Sequence, residues 1–143
     1  MCRFCTIIDP CFRLLQTIPG VGPITASAIV ATVGEPQRFK SGRDFAALIG
    51  LTPLNKSSGG KERLGRITKM GDKYLRRLLV AGMTARTGYA RRQPGCVDPW
   101  VTRLLARKPT RLATIAMANK TARIIWAVLT RQEPYQAPRV AAA

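Results

Sequence analysis

The feature that most constrains the fold is a turn rich in proline and glycine that separates two helical patterns. The turn is Ile18–Pro23, with the sequence Ile-Pro-Gly-Val-Gly-Pro, and the apolar run Ile24–Val33 follows it. Gly34 is typical of a helix C-terminus, and upstream Asp9-Pro10 has the pattern of an N-cap followed by proline at the first helical position. The sequence therefore predicts a short helix, a tight turn and a second helix.

This arrangement resembles a helix-hairpin-helix, a motif that binds the nucleic-acid backbone. Gly20 and Gly22 permit a tight turn and a close approach of the backbone to a ligand. The first N–H groups of the second helix have no intrahelical partner, so they are available to a phosphate. We therefore predict that Gly20 and Gly22 contact DNA backbone, the alternative being an αα-hairpin without a ligand.

The remaining patterns also predict helices. Ser41 with Asp44 resembles a capping box, Asp72 is a plausible N-cap, and Asp98-Pro99 repeats the start signal seen at Asp9. We expect a polar linker over 90–97 and a long helix over 110–131. The side chains expected to be buried are Phe45, Leu48, Ile49, Tyr74, Leu75, Leu78, Leu79, Gly82, Trp100, Leu104, Leu105, Leu112, Ile115, Asn119, Ala122, Trp126 and Leu129.

The predicted fold class is mainly α: a helix-hairpin-helix followed by a small helical domain with a basic, glycine-rich loop. Only residues 64–68 suggest a short extended segment. Asn119 lies on an apolar face, so its amide needs a buried hydrogen-bond partner. The chain from Glu133 is expected to be frayed.

The basic loop joins two hydroxyls, two glycines and a cluster of cations. Ser57 and Ser58 precede Gly59-Gly60, where the absence of Cβ atoms allows close approach of a ligand. Lysine and arginine suit a phosphate, and a serine there is a candidate nucleophile at phosphorus. The alternatives are a flexible loop tip and a solvated basic helix face. The remaining predicted DNA contacts are Lys56, Gly59, Gly60, Lys61, Arg63, Arg66, Lys69, Lys73, Arg76 and Arg77.

Charge favours a polyanionic partner. The 143 residues include 24 Lys and Arg but 7 Asp and Glu, which gives a net charge of +17. Nucleic acid is the first candidate partner and an anionic membrane the second. The charges are spread along the chain, and its longest apolar run is too short to span a bilayer, so we expect no membrane partner and a cytoplasmic location.

Composition also excludes several kinds of chemistry. The sequence has no histidine, which rules out Ser-His-Asp catalysis and histidine-ligated zinc. The acidic residues are scattered, so a metal site within the chain is not expected. Cys2 and Cys5 form a C-x-x-C pair with Cys11 and Cys96 left over; zinc and reduced, unligated thiols remain the alternatives.

Several ordered motifs together carry a family resemblance. The hairpin is followed by Phe45–Pro53, the serine-glycine loop, Gly65–Asp72, Tyr74–Leu79 and Ala118–Trp126. This order resembles the carboxy-terminal domain of insertion-sequence transposases of the IS-one-ten family, relatives of the Piv and MooV recombinases. The match covers residues 9–135, with 1–8 an unmatched extension and 136–143 expected to be a disordered tail.

The resemblance implies a role in DNA transposition and site-specific recombination at the bacterial nucleoid. In that family a RuvC-like amino-terminal domain carries metal-binding carboxylates, so magnesium is expected there and no cofactor in this chain. The first serine of the motif is the nucleophile, which implies Ser57, with Ser58 as the alternative. A structured guide RNA, a RuvC-like domain or full-length transposase, and a homo-oligomer are the implied partners.

The RuvC-like half does not match any part of this sequence, so we expect a truncated transposase. The competing hypotheses are a non-catalytic nucleic-acid-binding module and a truncated regulator of a full-length transposase. An inert binder does not require the hydroxyl of Ser57, which distinguishes these alternatives.

Overall fold

The computed structural model describes residues 9–55 and 64–137, and their fold is mainly helical, as predicted. Three helices begin at aspartate N-caps, and the longest begins after Pro109. The helices are α1 (Pro10–Gln16), α2 (Pro23–Val33), α3 (Gly42–Ile49), α4 (Lys73–Arg92), α5 (Pro99–Arg107) and α6 (Thr110–Arg131), with 3-10 turns at Pro36–Arg38 and Pro94–Cys96.

A two-stranded antiparallel sheet stands between α3 and α4. Strand β1 (Pro53–Asn55) pairs with β2 (Leu64–Ile67), and an irregularity in the register lies between Pro53 and Asn55. The sequence predicted an extended piece at β2 but missed β1. Asn55 and Leu64, the residues that flank segment 56–63, are register partners and therefore lie side by side.

The core is built around α6, which packs against α1, α3, α4 and α5. It runs antiparallel to α4, because Thr114 contacts Thr87, with 3.4 Å between the hydroxyl oxygens, and Thr121, further along α6, contacts Met83, earlier on α4. By length and composition α6 is apolar enough to cross a membrane, but half of that window is buried inside this fold. The predicted partner of Asn119 exists: its Nδ2 donates to the carbonyl of Leu51 at 3.0 Å.

The buried faces of several helices differ from the prediction. Tyr74 is 57% exposed, Leu112 is 53% exposed and Leu48 is 37% exposed. On α6, Ala122 and Leu129 are buried as expected, whereas Leu112 is exposed and its neighbour Ala113 is buried. This helix contacts neighbours on several sides, and an apolar face read from one period cannot locate the stripe to a single residue.

Two segments expected to be irregular are ordered in the structure. Helix α4 continues through Arg92, so residues 90–92 are helical and not part of a linker. The backbone N–H of Tyr135 donates to Thr17 Oγ1 at 2.9 Å, and its side chain packs against the core. The chain therefore remains attached beyond Glu133.

Candidate nucleic-acid interface

The predicted hairpin forms, and its first glycine packs against another helix. The N–H of Val21 donates to the carbonyl of Ile18 at 3.1 Å, closing the turn. Gly20 has φ of 88°, a conformation that favours glycine. A Cβ at Gly20 would collide with the Met83 side chain, and a Cβ at Gly82 would collide with the Gly20 carbonyl. Glycine is therefore needed at position 20 for the hairpin to pack closely against α4.

The second glycine is at the open end of the hairpin. Gly22 is the exposed N-cap of α2, and Pro23 takes the first helical position. Ala26 makes the first intrahelical bond, donating to the Gly22 carbonyl at 2.9 Å. The amides of Ile24 and Thr25 precede that bond and have no intrahelical acceptor. The start of α2 can therefore present N–H groups and a positive dipole end to an anion.

The strand pair rises where α3 ends and α4 begins. Lys69 donates its N–H to the Gly50 carbonyl at 3.2 Å, and Thr68 donates to Thr52 at 2.9 Å. Lys69 has φ of 55°, which is uncommon for a residue with a side chain. The backbone N–H of Asp72 then donates to the Leu48 carbonyl at 2.8 Å. These bonds fix the base of the strands against two helix ends.

Four of the predicted DNA-contacting residues lie around this junction and one is used internally. Arg66, Lys69, Lys73 and Arg77 are exposed. Arg76 is half-buried, and its Nη1 donates to the carbonyl of Ile49 at 2.8 Å. Arg76 therefore supplies a hydrogen-bond donor to a carbonyl at the C-terminal end of α3. The other predicted residues of this site, Lys56, Ser57, Ser58, Gly59, Gly60, Lys61 and Arg63, lie outside the described residues.

Three of the acidic side chains act as helix N-caps. Oδ1 of Asp9 accepts from the Cys11 N–H at 2.9 Å. Asp72 accepts from the amides of Tyr74 and Leu75, at 2.8 and 2.9 Å. In the part of the chain that the structure describes, the exposed cations of this junction form no ion pair with an acidic side chain, so they are available to an external polyanion.

Two functional candidates escaped the sequence analysis. Arg86 is half-buried and Tyr89 is 44% exposed, and both line a cleft beside the hairpin turn. Arg86 follows Gly82 by one helical turn, so it lies on the face that meets the hairpin. That spacing becomes informative only once Gly82 is known to contact Gly20.

The cysteines show no metal arrangement among the described residues. Within 9–55 and 64–137, no three His, Cys, Asp or Glu side chains cluster as potential ligands. Burial raises the pKa of the Cys11 thiol, and a hydrogen bond with Gln132 acts in the opposite direction. Cys11 and Cys96 are free thiols, whereas Cys2 and Cys5 lie outside the described residues.

Comparison with known proteins decides the family. Residues 12–95, which include the hairpin, the strand pair and α4, match the Transposase IS116/IS110/IS902 family. The chain belongs to this family.

Relatives in the family extend the match over most of the chain. The Sinorhizobium fredii protein y4pF/y4sB is 48% identical over 90% of this chain and 33% of its own length. The transposase for insertion sequence element IS1111A of Coxiella burnetii is 42% identical over 90% of this chain and 35% of its own. That for element IS1328 of Yersinia enterocolitica is 42% identical, over 86% and 37%. The chain thus spans about a third of the length of these relatives.

Proposed function

We propose that this chain binds DNA and acts in transposition as the serine-bearing, carboxy-terminal part of an insertion-sequence transposase. The observation that carries the proposal is the family match over the hairpin, strand pair and α4. The geometry supports it in two ways. The hairpin packs against α4 at Gly82, and the exposed basic side chains Lys73 and Arg77 lie near the start of the same helix.

In this proposal the hairpin positions DNA and carries no sequence information. Backbone N–H groups and glycine cannot distinguish base edges, so contacts of this kind fix register on the duplex. Exposed Arg66, Lys69, Lys73 and Arg77 neutralise further phosphates. Recognition of a particular site then belongs to other parts of the assembly, for which a structured guide RNA is the candidate.

Ser57 is the proposed nucleophile. Its Oγ forms a bond to phosphorus while the bond from phosphorus to a sugar oxygen of DNA breaks, leaving a phosphoserine link. Lys61, Arg63 and Arg66 stabilise the negative charge that develops on the phosphoryl oxygens. The sequence has no histidine to accept the serine proton.

The metal-binding carboxylates of the mechanism belong to the RuvC-like domain, and the described residues hold no cluster that fits a metal. We therefore expect that domain in another part of the protein or in a partner transposase, in a homo-oligomeric assembly at the bacterial nucleoid. The chain alone is expected to bind DNA without transferring strands.

A covalent-adduct experiment tests the serine. The chain is combined with a RuvC-like amino-terminal half from a family relative and with labelled DNA, and adducts are resolved under denaturing conditions. Wild type should form a protein–DNA adduct, Ser57→Ala should abolish it, and Ser58→Ala should only reduce it.

The two serines serve as controls for each other. An adduct that survives Ser57→Ala and disappears in Ser58→Ala moves the nucleophile by one residue. An adduct that survives both substitutions removes the serine mechanism from this loop.

A further inference from the structure

A cleft of about 670 Å³ lies beside the hairpin turn. It is lined by Pro19 and Gly20 of the hairpin and by Arg86 and Tyr89 of α4. Asp98, the N-cap of α5, and Tyr135 of the C-terminal segment also line it. The volume lies in the range of about 300–1,000 Å³ that is typical of small-molecule and cofactor sites.

The aromatic groups of the cleft are partly accessible and one is fixed in place. Tyr89 is 44% exposed although it is a large aromatic side chain. Tyr135 is half-buried and is held by the bond from its backbone N–H to Thr17 Oγ1. Exposed aromatic rings beside a cationic surface are the usual platform for an unpaired base, because every base has a π-face.

The charged groups favour a ligand with a neutral aromatic part and an anionic part. Burial, the largest cause, raises the pKa of Tyr135, with Arg86 lowering it and Asp98 raising it, so the phenol remains a hydrogen-bond donor. Asp98 is oriented by its bonds: Oδ1 accepts from the Trp100 N–H at 2.9 Å, and Oδ2 is 3.8 Å from Lys120 Nζ. The carboxylate of Asp98 opposes a ligand that is anionic throughout, whereas the guanidinium of Arg86 attracts a phosphate.

We propose that this cleft binds one unpaired nucleotide of the nucleic acid held at the hairpin. Its base stacks on Tyr89 and faces Tyr135 and Asp98, while its phosphate lies between Arg86 and the hairpin. The inference rests on the proposed nucleic-acid binding and adds a distinct ligand to it. A fully paired duplex cannot use the cleft, because its bases are stacked within the helix.

An equilibrium binding experiment with three oligonucleotides tests whether the cleft binds an unpaired nucleotide. The oligonucleotides are a paired duplex, the same duplex with one unpaired nucleotide, and a third in which that nucleotide is abasic. Fluorescence anisotropy of end-labelled DNA gives the affinity of the whole chain for each. Wild type should bind the bulged duplex about tenfold more tightly than the paired or abasic one, in keeping with the usual strength of one base–aromatic stack.

The variants separate stacking from folding. Tyr89→Ala should lose the tenfold preference and leave the affinity for paired and abasic duplexes unchanged, whereas Tyr89→Phe should retain it. Tyr74→Ala is the matched control, since Tyr74 lies on the same helix, is 57% exposed and does not line the cleft. The exposed Cys96 does line the cleft, so its alkylation should be slowed by the bulged duplex and not by the abasic one.

The outcomes distinguish this proposal from the proposed function. If the chain binds duplex DNA in a salt-dependent way but shows no preference for the unpaired base, the nucleotide site in the cleft is overturned and the proposed DNA binding is not. A preference that survives Tyr89→Ala, or that Tyr74→Ala removes equally, also overturns the nucleotide site. A chain that binds none of the three oligonucleotides overturns both proposals.

Discussion

At the scale of single residues, the contact between Gly20 and Gly82 decides whether the hairpin can sit on α4. We predict that Gly82→Ala destabilises the protein by about 1–3 kcal/mol, because the new methyl group collides with the Gly20 backbone. The free energy of unfolding from urea titration followed by circular dichroism measures the effect.

The matched control is Gly88 on the same helix. A Cβ at Gly88 meets nothing within 4 Å among the described residues, so Gly88→Ala should stabilise α4 by about 0.5–1 kcal/mol through helix propensity. If both variants shifted stability in the same direction, the close approach would not be the cause.

At the scale of elements, Arg76 and Arg77 are adjacent on α4 but differ in environment: Arg76 bonds the end of α3, and Arg77 is exposed. Arg76→Ala should cost about 1–2 kcal/mol, because it leaves the carbonyl of fully buried Ile49 without its guanidinium donor. Arg77→Ala should change stability by less than about 0.5 kcal/mol but weaken DNA binding, because its side chain is exposed.

Urea unfolding and DNA titration of the same two variants measure both quantities. Equal stability of the two would show that the bond to Ile49 contributes nothing. Unchanged DNA affinity in Arg77→Ala would remove that residue from the interface.

The elements differ in how far the sequence could predict them, because some signals are local and others are not. Asp9, Asp72 and Asp98 each cap a helix as predicted, since a cap involves only residues within one turn. Strand β1 was missed because three residues carry no periodicity and its partner follows only after a long segment.

The residues of the candidate site also differ in whether a local sequence pattern could predict them. The hairpin glycines were recognised from spacing alone, whereas Arg86 and Tyr89 become candidates only through tertiary packing of α4 against the hairpin. Likewise the internal use of Arg76 depends on where α3 ends in space. Residues that share a cleft across separate elements leave no local pattern.

At the scale of the whole molecule, the net charge of +17 predicts that the proposed binding of DNA depends strongly on salt. We predict that affinity for duplex DNA falls about 10³-fold between about 50 and 200 mM salt if about six phosphates are neutralised. Binding measured across that range should give a linear log–log plot, and an affinity independent of salt would contradict the prediction. The double substitution Lys73→Ala with Arg77→Ala should make the slope shallower by about one for each lost contact.

The continuity of α4 fixes the distance between the hairpin and the strand pair. The helix is unbroken between Lys73, beside the strand pair, and Gly82, which carries the hairpin. Nine residues at about 1.5 Å each make a rigid spacer of about 14 Å, and successive phosphates of one DNA strand are about 3.4 Å apart along the duplex axis. If the hairpin and the strand pair bind DNA as proposed, with the duplex axis along α4, we predict that the phosphates at the two sites are offset by about four nucleotides.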